Sequence, residues 1–306
     1  MLRKSELLMK AMEWFDQGKN IAVTAREEFE GDVLPQDIIE VAYDLQAGSY
    51  TAALEVPEMR DLKEEWGRRV AEILRSLGVS SACEAGAGEA TTLAFIAKAA
   101  EPEVAFCGFD ISLSRMLYAR HFLARYSVES RLFCADILRI PLADGSVDAV
   151  ITNHSIEPNG GFELPLLKEL LRVCGRYLIL VEPDYERGSA EQQKRMRQHN
   201  YVRDIAGHLG HLPGELLTYE DWPLNVNSLN KASLFVFSKE CGRVPPPSFV
   251  FVSPVNKKPL KAVEGGLFCA EEGLVYPAVL GVPVLRDDCA VVCSQAYRFN
   301  DFKAKP

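Results

Sequence analysis

Between residues 1 and 77 the apolar positions recur at helical spacing. Leu7, Leu8, Ala11, Met12 and Phe15 fall on one helix face, and a second helical stretch is expected from about Val56 to Leu77, where Gly78 can end it. Between them lies the polar and aromatic run Tyr43-Asp-Leu-Gln46-Ala-Gly48-Ser-Tyr50. From residue 79 the pattern changes. Short apolar runs at 81–85, 104–109, 131–135, 147–152 and 177–181 alternate with longer amphipathic stretches at 91–100, 113–126, 164–173 and 190–209. Strands alternating with helices predict βαβ units and a parallel sheet. Two further strand-like runs, 215–219 and 233–238, follow with no helix between them, and can pair antiparallel at the sheet edge.

The segment Arg243-Val-Pro-Pro-Pro-Ser248 cannot continue a helix or a central strand and makes a stiff spacer. It divides the chain into a helical N-terminal cap (1–77), an α/β domain (78–242) and a small β-rich module (249–306) with turns at Glu264-Gly265-Gly266 and Gly281-Val-Pro283. A chain of 306 residues with 48% hydrophobic and 25% charged residues can bury a large core without staples. The net charge of −9 arises before residue 244, and such a surface repels phosphate unless a local basic patch exists, so nucleic acid is disfavoured as a partner. Of the eight cysteines, Cys83, Cys107, Cys134 and Cys174 sit inside apolar runs, as buried free thiols do. Charges interrupt the apolar residues of the first fifteen positions, and no run approaches the ~20 apolar residues that span a bilayer. The chain reads as a reduced, cytoplasmic protein with no membrane association and with no sequence signal for its oligomeric state.

Ala82-Cys-Glu84-Ala-Gly86-Ala-Gly88-Glu89 follows the first strand and opens a helix. Glycines there permit a tight turn and close approach of a ligand to the backbone, although a tight turn alone would use them equally. Asp110 ends the second strand, where a carboxylate can accept both hydrogens of a ribose diol or cap the next helix. Asp136 ends the third, where it can accept from an adenine amino group. Open α/β sheets bind ligands at these carboxyl ends, and acidic ends on three successive strands are more specific than the glycines. A nicotinamide dinucleotide is the competing ligand, but Thr91 stands where its G-x-G-x-x-G turn needs the third glycine.

Residues 79–181, with E-A-G-A-G-E-A, G-F-D-I-S and C-A-D-I-L-R-I-P-L-A-D-G-S-V-D-A-V-I-T-N-H, resemble the core of class I S-adenosylmethionine-dependent methyltransferases. The resemblance implies a Rossmann-like seven-stranded sheet, with S-adenosyl-L-methionine as cofactor. It implies that Glu84, Gly86 and Gly88 cradle the methionine part, Asp110 with Ile111 the ribose, Asp136 with Ile137 the adenine, and that Asn153 also lies at the cofactor. In this family the loop after the fourth strand, Asn153-His154-Ser-Ile-Glu157-Pro-Asn159-Gly-Gly161, lies between cofactor and acceptor. His154 is a candidate general base, or packs on adenine. Glu182 and Tyr185, after the fifth strand, are candidates to face an acceptor, with solvated loop charges as the alternative. Tyr43 and Tyr50 are candidate cofactor contacts if residues 1–77 fold over the site as a lid. His208 and His211 are read as structural, and Arg195, Arg197 and Arg203 as a solvated helix face.

Residues 249–285 resemble the small zinc-ribbon activator protein that partners tRNA and translation-factor methyltransferases, through Ser253-Pro254-Val-Asn256 and Leu267-Phe268-Cys269-Ala-Glu-Glu272-Gly-Leu-Val-Tyr276-Pro277. The zinc-binding version has C-P-x-C and C-x-x-C at these places. Here the four positions are Ser253, Asn256, Cys269 and Glu272, so no metal is expected and packing must hold the module. The resulting expectation is methyl transfer to O, N or S of a small-molecule acceptor. RNA, a protein side chain, and an inactive cofactor-binding scaffold stand as alternatives.

Overall fold

The computed structural model describes residues 4–29, 31–100, 104–225, 227–245, 249–296 and 298. The first 77 residues form five helices: α1 (Lys4–Asp16), α2 (Ile21–Phe29), α3 (Pro35–Leu45), α4 (Ser49–Ala53) and α5 (Pro57–Ser76). Both α3 and α5 open on a proline, whose missing N–H costs nothing in a first turn. Leu7, Ala11 and Trp14 of α1, Ile21 and Ala25 of α2, and Ile38, Val41 and Ala42 of α3 make a separate small core. Helix α5 instead packs Trp66, Val70, Ala71 and Leu74 into the core of the main sheet.

The main domain alternates β1 (Ser81–Ala85), α6 (Thr91–Ala100), β2 (Ala105–Asp110), α7 (Leu113–Arg125), β3 (Arg131–Cys134), β4 (Val147–Asn153), α8 (Glu163–Val173), β5 (Cys174–Pro183), α9 (Ala190–Gln198), α10 (Ile205–Leu209), β6 (Gly214–Asp221) and β7 (Ala232–Lys239). Its strands form a seven-stranded sheet in the order β3-β2-β1-β4-β5-β7-β6. The first five pair in parallel, while β7 runs antiparallel to both β5 and β6. Strand order reverses between β1 and β4, which opens a crevice at their carboxyl ends.

The single helix expected over 190–209 is two. Asn200 and Asp204 adopt left-handed φ values of 52°. The chain between them leaves the helix to bond the loop after β4: Gly160 N–H donates to Asn200 O at 3.1 Å and Val202 N–H to Glu157 O at 2.9 Å. Asp204 then caps α10 through Gly207 N–H.

The C-terminal module contains β8 (Lys261–Val263), β9 (Gly266–Cys269), β10 (Leu274–Val279), β11 (Val282–Pro283) and β12 (Val291–Val292) in a second sheet. Of the proposed spacer, residues 246–248 lie outside the described residues. The module packs on the main domain rather than standing apart. Phe249, Cys269, Tyr276 and Leu285 belong to the same buried cluster as Phe109, Phe133, Ile140 and Leu142. Backbone bonds join them: Val252 N–H to Pro141 O at 3.0 Å, Ala143 N–H to Val250 O at 3.0 Å, and Leu285 N–H to Cys134 O at 2.8 Å at the β3 edge.

Candidate active site

Glu84 ends β1, 2% exposed. Its Oε2 is buried and has no hydrogen-bond partner among the described residues, and burial pushes its carboxyl up to about 8, with Lys63 opposing and Asp110 reinforcing the shift. A buried carboxylate with a vacant oxygen suits an incoming ammonium. The turn that follows places Gly86 at φ 72°, and a Cβ there would collide with the side chain of Ser155. Ser155 is fixed in turn, its Oγ donating to Ala85 O at 2.7 Å. Glycine at 86 therefore lets the loops after β1 and β4 meet.

Asp110 is 8% exposed and accepts from Gly88 N–H at 3.0 Å and Ser112 N–H at 2.9 Å, one bond per oxygen. Each oxygen keeps a lone pair for a diol. Burial raises the Asp110 carboxyl, and Arg115 and these N–H groups counter it. The second proposed role, a helix cap, falls to Ser112, which accepts from Arg115 N–H at 3.1 Å. Asp136 accepts from Leu138 N–H at 2.9 Å, and burial raises its carboxyl too.

The run 43–50 docks on these loops. Asp44 accepts from Ser112 Oγ at 2.7 Å and from both N–H (3.1 Å) and Oγ (3.0 Å) of Ser114, at the start of α7. Glu89, buried beside Gly88, accepts from the N–H groups of Gly48 (2.9 Å), Tyr50 (3.2 Å) and Thr51 (2.7 Å), which anchors α4 through its orphan donors. Arg115 is buried between Tyr43 and Tyr50, its guanidinium carbon 4.7 Å from each ring centre, and its Nη2 has no partner among the described residues. Pattern reading named Tyr43 and Tyr50, and Glu89 with the glycine turn, but missed Asp44, Arg115 and the part Glu89 plays in holding the cap. Their charged side chains resemble surface residues until the cap is in place.

One cavity of about 480 Å³ joins these groups. Glu84, Gly86, Gly88, Asp110, Ile111, Asp136, Ile137, Asn153, Tyr43 and Tyr50 all line it, and so does His154. Beyond the strand ends its wall continues through Met59, Leu62, Lys63, Trp66, Glu157 and Asn230. Asn153 Nδ2 donates to Thr92 Oγ1 at 2.7 Å, and Lys63 Nζ donates to the same oxygen at 3.0 Å. His154 has a left-handed φ of 52°; its Nδ1 lies 3.4 Å from Glu157 Oε2 and 3.1 Å from Asn230 Nδ2, and Trp66 packs 5.8 Å from its ring.

The remaining two candidates lie elsewhere. Glu182 is fully buried beneath the loop, accepting from Ser155 N–H at 3.1 Å and Ile156 N–H at 3.4 Å, and does not line the cavity. It holds the loop that carries His154. Burial, reinforced by Glu157, pushes its carboxyl up to about 8. Tyr185 also lies off the cavity, with the guanidiniums of Arg197 and Arg203 5.7 and 5.9 Å from its ring and Arg197 donating to its hydroxyl. The register of β5 decides both: Glu182 faces inward at its end, and the chain turns away through Asp184.

In the C-terminal module Ser253, Asn256, Cys269 and Glu272 lie close together. Ser253 Oγ donates to Glu272 Oε1 at 2.7 Å, Tyr276 Oη donates to Glu272 Oε2 at 3.0 Å, and Cys269 Sγ lies 4.0 Å from Asn256 Oδ1.

Residues 82–177 match the family model described as a methyltransferase domain. Magnesium protoporphyrin IX methyltransferase from Synechocystis PCC 6803, in a structure with bound S-adenosylmethionine, shares the fold. It is 13% identical, with 68% of this chain and 98% of that chain covered and a TM-score of 0.50. A SAM-dependent methyltransferase from Aquifex aeolicus is 14% identical, with 54% of this chain and 87% of that chain covered and a TM-score of 0.42. No curated protein matches the sequence. Residues 82–177 thus match a methyltransferase domain, and the seven-stranded sheet around them shares its fold with the Synechocystis enzyme.

Proposed function

We propose that the chain transfers a methyl group to O, N or S of a small-molecule acceptor bound in the same cavity as the cofactor. The observation that carries this reading is the single cavity of about 480 Å³ running from Glu84, Asp110 and Asp136 beneath the cap to His154. A cap fastened by Asp44 and Glu89 encloses a small acceptor and excludes water, whereas a polymer needs an open groove. The acceptor side is lined by amides and apolar groups, including Asn225, Asn227, Asn230, Met59 and Leu62.

Bound S-adenosylmethionine supplies a methyl group made electrophilic by its sulfonium. In this reading Glu84 holds the ammonium and Arg115 Nη2 the carboxylate of the methionine part. Asp110 with Ile111 holds the ribose, Asp136 with Ile137 the adenine, and Gly86, Gly88 and Asn153 shape the cradle. Tyr43 and Tyr50 close it from the cap. His154 takes the acceptor's proton. To act as the base His154 carries its hydrogen on Nδ1, toward Glu157 Oε2 at 3.4 Å, while Asn230 Nδ2 donates to that same carboxylate oxygen at 3.2 Å rather than to the ring, and Nε2 is then the nitrogen that takes the proton. Glu182 acts through the loop and Tyr185 takes no part. The test is to incubate the protein with S-adenosylmethionine and fractionated cell extract, seeking products one methyl heavier. A methylated small molecule supports the reading, and methylation confined to RNA or protein fractions overturns it.

In this reading the Ser253–Glu272–Tyr276 network holds together, without metal, a module that resembles a zinc ribbon. Elemental analysis of purified protein should find no stoichiometric zinc, and zinc whose removal unfolds the module would overturn this.

A further inference from the structure

We propose that Arg286, from the C-terminal module, is a positioning residue that latches the helical cap to the cofactor's ribose loop. Arg286 is 5% exposed. Its Nη1 donates to Ile111 O at 3.2 Å and lies 2.6 Å from Glu40 Oε1 on α3. Its Nη2 and Nε bond the two oxygens of Asp288 at 2.7 and 3.1 Å. One guanidinium thus touches the module, the cap and the turn immediately after Asp110. Its own position is set by the preceding residue, since Leu285 N–H donates to Cys134 O at the edge of β3.

The surrounding charges make the latch two-sided. Lys4 Nζ, from α1, lies 3.1 Å from Asp37, 2.8 Å from Glu40 and 2.5 Å from Asp288. Three carboxylates of this cluster therefore share two cations, and losing Arg286 leaves them with Lys4 alone. The carboxylates of Glu40 and Asp288 would then repel across the junction, where an unpaired, partly buried charge is costly. Helix α3 carries Ile39 and Tyr43 of the cavity wall, so any shift of α3 away from the module moves the cap off the cofactor. The same guanidinium favours the ionised form of Asp136, the adenine candidate. The module thereby completes the cofactor site from outside it, and cap closure and cofactor binding become coupled through one residue.

This inference rests on the reading of Asp110 and Ile111 as the ribose site. The test compares Arg286→Met, Arg286→Lys, Glu40→Gln and Arg286→Met with Glu40→Gln in the full chain. S-adenosylhomocysteine affinity is measured by calorimetry, α3 protection by hydrogen exchange, and stability by thermal melting. Arg286→Met should weaken the ligand about tenfold and abolish the extra α3 protection that the ligand confers, and Arg286→Lys should recover part of both. Glu40→Gln should act in the same direction but more weakly, and the double variant should be less than additive because both ends of one contact are gone. Should Arg286→Met fail to fold, Glu40→Gln alone carries the test. Unchanged affinity in Glu40→Gln and Arg286→Met, or a loss that tracks melting temperature without changing ligand-dependent α3 protection, would overturn the latch. Asp110→Ala is the control. If it too leaves affinity unchanged, the ribose reading has failed; if it weakens binding while Arg286→Met does not, only the latch has.

Discussion

The two ends of the cavity are built differently. At the end proposed for the cofactor the carboxylates lie at or just past the ends of parallel strands, and backbone N–H groups orient two of them, Asp110 through Gly88 and Ser112 and Asp136 through Leu138. At the acceptor end the wall comes from distant segments: Trp66 from the cap's last helix, His154 and Glu157 from the loop after β4, and Asn230 from just before β7. The first end is set by sheet topology, which fixes where strand ends lie. The second is set by side-chain contacts between segments, such as His154 with Trp66 and Asn230, so it is free to vary with the acceptor while the fold is retained.

If that division is sound, substitutions should separate cleanly into cofactor and turnover effects. The largest effect is expected at His154. Removing a general base typically costs ~10²–10⁴ in rate. His154→Ala should lower kcat in that range while S-adenosylmethionine affinity stays within a few-fold. Weakened cofactor binding with kcat at saturation intact would move His154 to the cofactor end, against adenine. The next effect belongs to Asp110. Hydrogen bonds to charged groups contribute roughly 1.5–3 kcal/mol, so Asp110→Ala should weaken cofactor binding by at least ~10-fold with the fold retained. Calorimetry showing unchanged affinity would remove it from the site.

Glu84 sharpens the comparison through pH. Burial raises its carboxyl to about 8, far above the ordinary ~4.3. In the ligand-free protein the folded state then binds a proton that the unfolded state has lost. Its contribution to stability therefore falls as pH rises from about 4.5 to about 8. An ammonium against Glu84 favours the ionised form, so cofactor binding should release a proton within this window and tighten as pH rises through it. Calorimetry in buffers of different ionisation enthalpy measures the release. Glu84→Gln should abolish it and flatten the ligand-free melting curve against pH, leaving the similar slope due to Glu182, also raised to about 8. Equal proton release by Glu84→Gln would exclude Glu84 as the ammonium's partner.

What could be read in the sequence follows the same line. The strands of the main sheet lie within a few residues of their apolar runs because buried parallel strands are continuous apolar segments. Glu84, Asp110 and Asp136 were legible as candidates because they lie at or just past the ends of those strands, and all three line the cavity. Arg115, Asp44, Arg286 and the part Glu89 plays in holding the cap were not, since a charged residue reveals its role only when a distant segment covers it. Glu182 and Tyr185 were placed at the site by proximity in sequence to β5, and the direction of the chain after that strand decides otherwise. The break in the helix at 199–204 was hidden for a related reason: Asn200 and Val202 leave the helix for backbone partners forty residues away, which no local spacing announces.

The smallest expected effect tests where the two ends meet. Trp66 is 3% exposed and lines the cavity, and its indole Nε1 is buried without a hydrogen-bond partner among the described residues. A buried N–H left unpaired costs roughly 1–3 kcal/mol, so the position gains if a ligand atom accepts from it. Its neighbours are His154 at 5.8 Å, Trp222 at 5.1 Å and Lys63 Nζ at 5.0 Å, all on the acceptor side. Trp66→Phe keeps an aromatic ring against His154 and removes only the donor and part of the ring. A neutral hydrogen bond contributes about 1 kcal/mol net, so the acceptor's KM should rise about fivefold while kcat and cofactor affinity hold. The melting temperature of the ligand-free protein should change little, because the smaller ring's lost packing is offset by the loss of an unsatisfied donor. A fall in cofactor affinity with acceptor KM unchanged would place Trp66 at the cofactor end and shift the boundary between the two halves by one helical turn of α5.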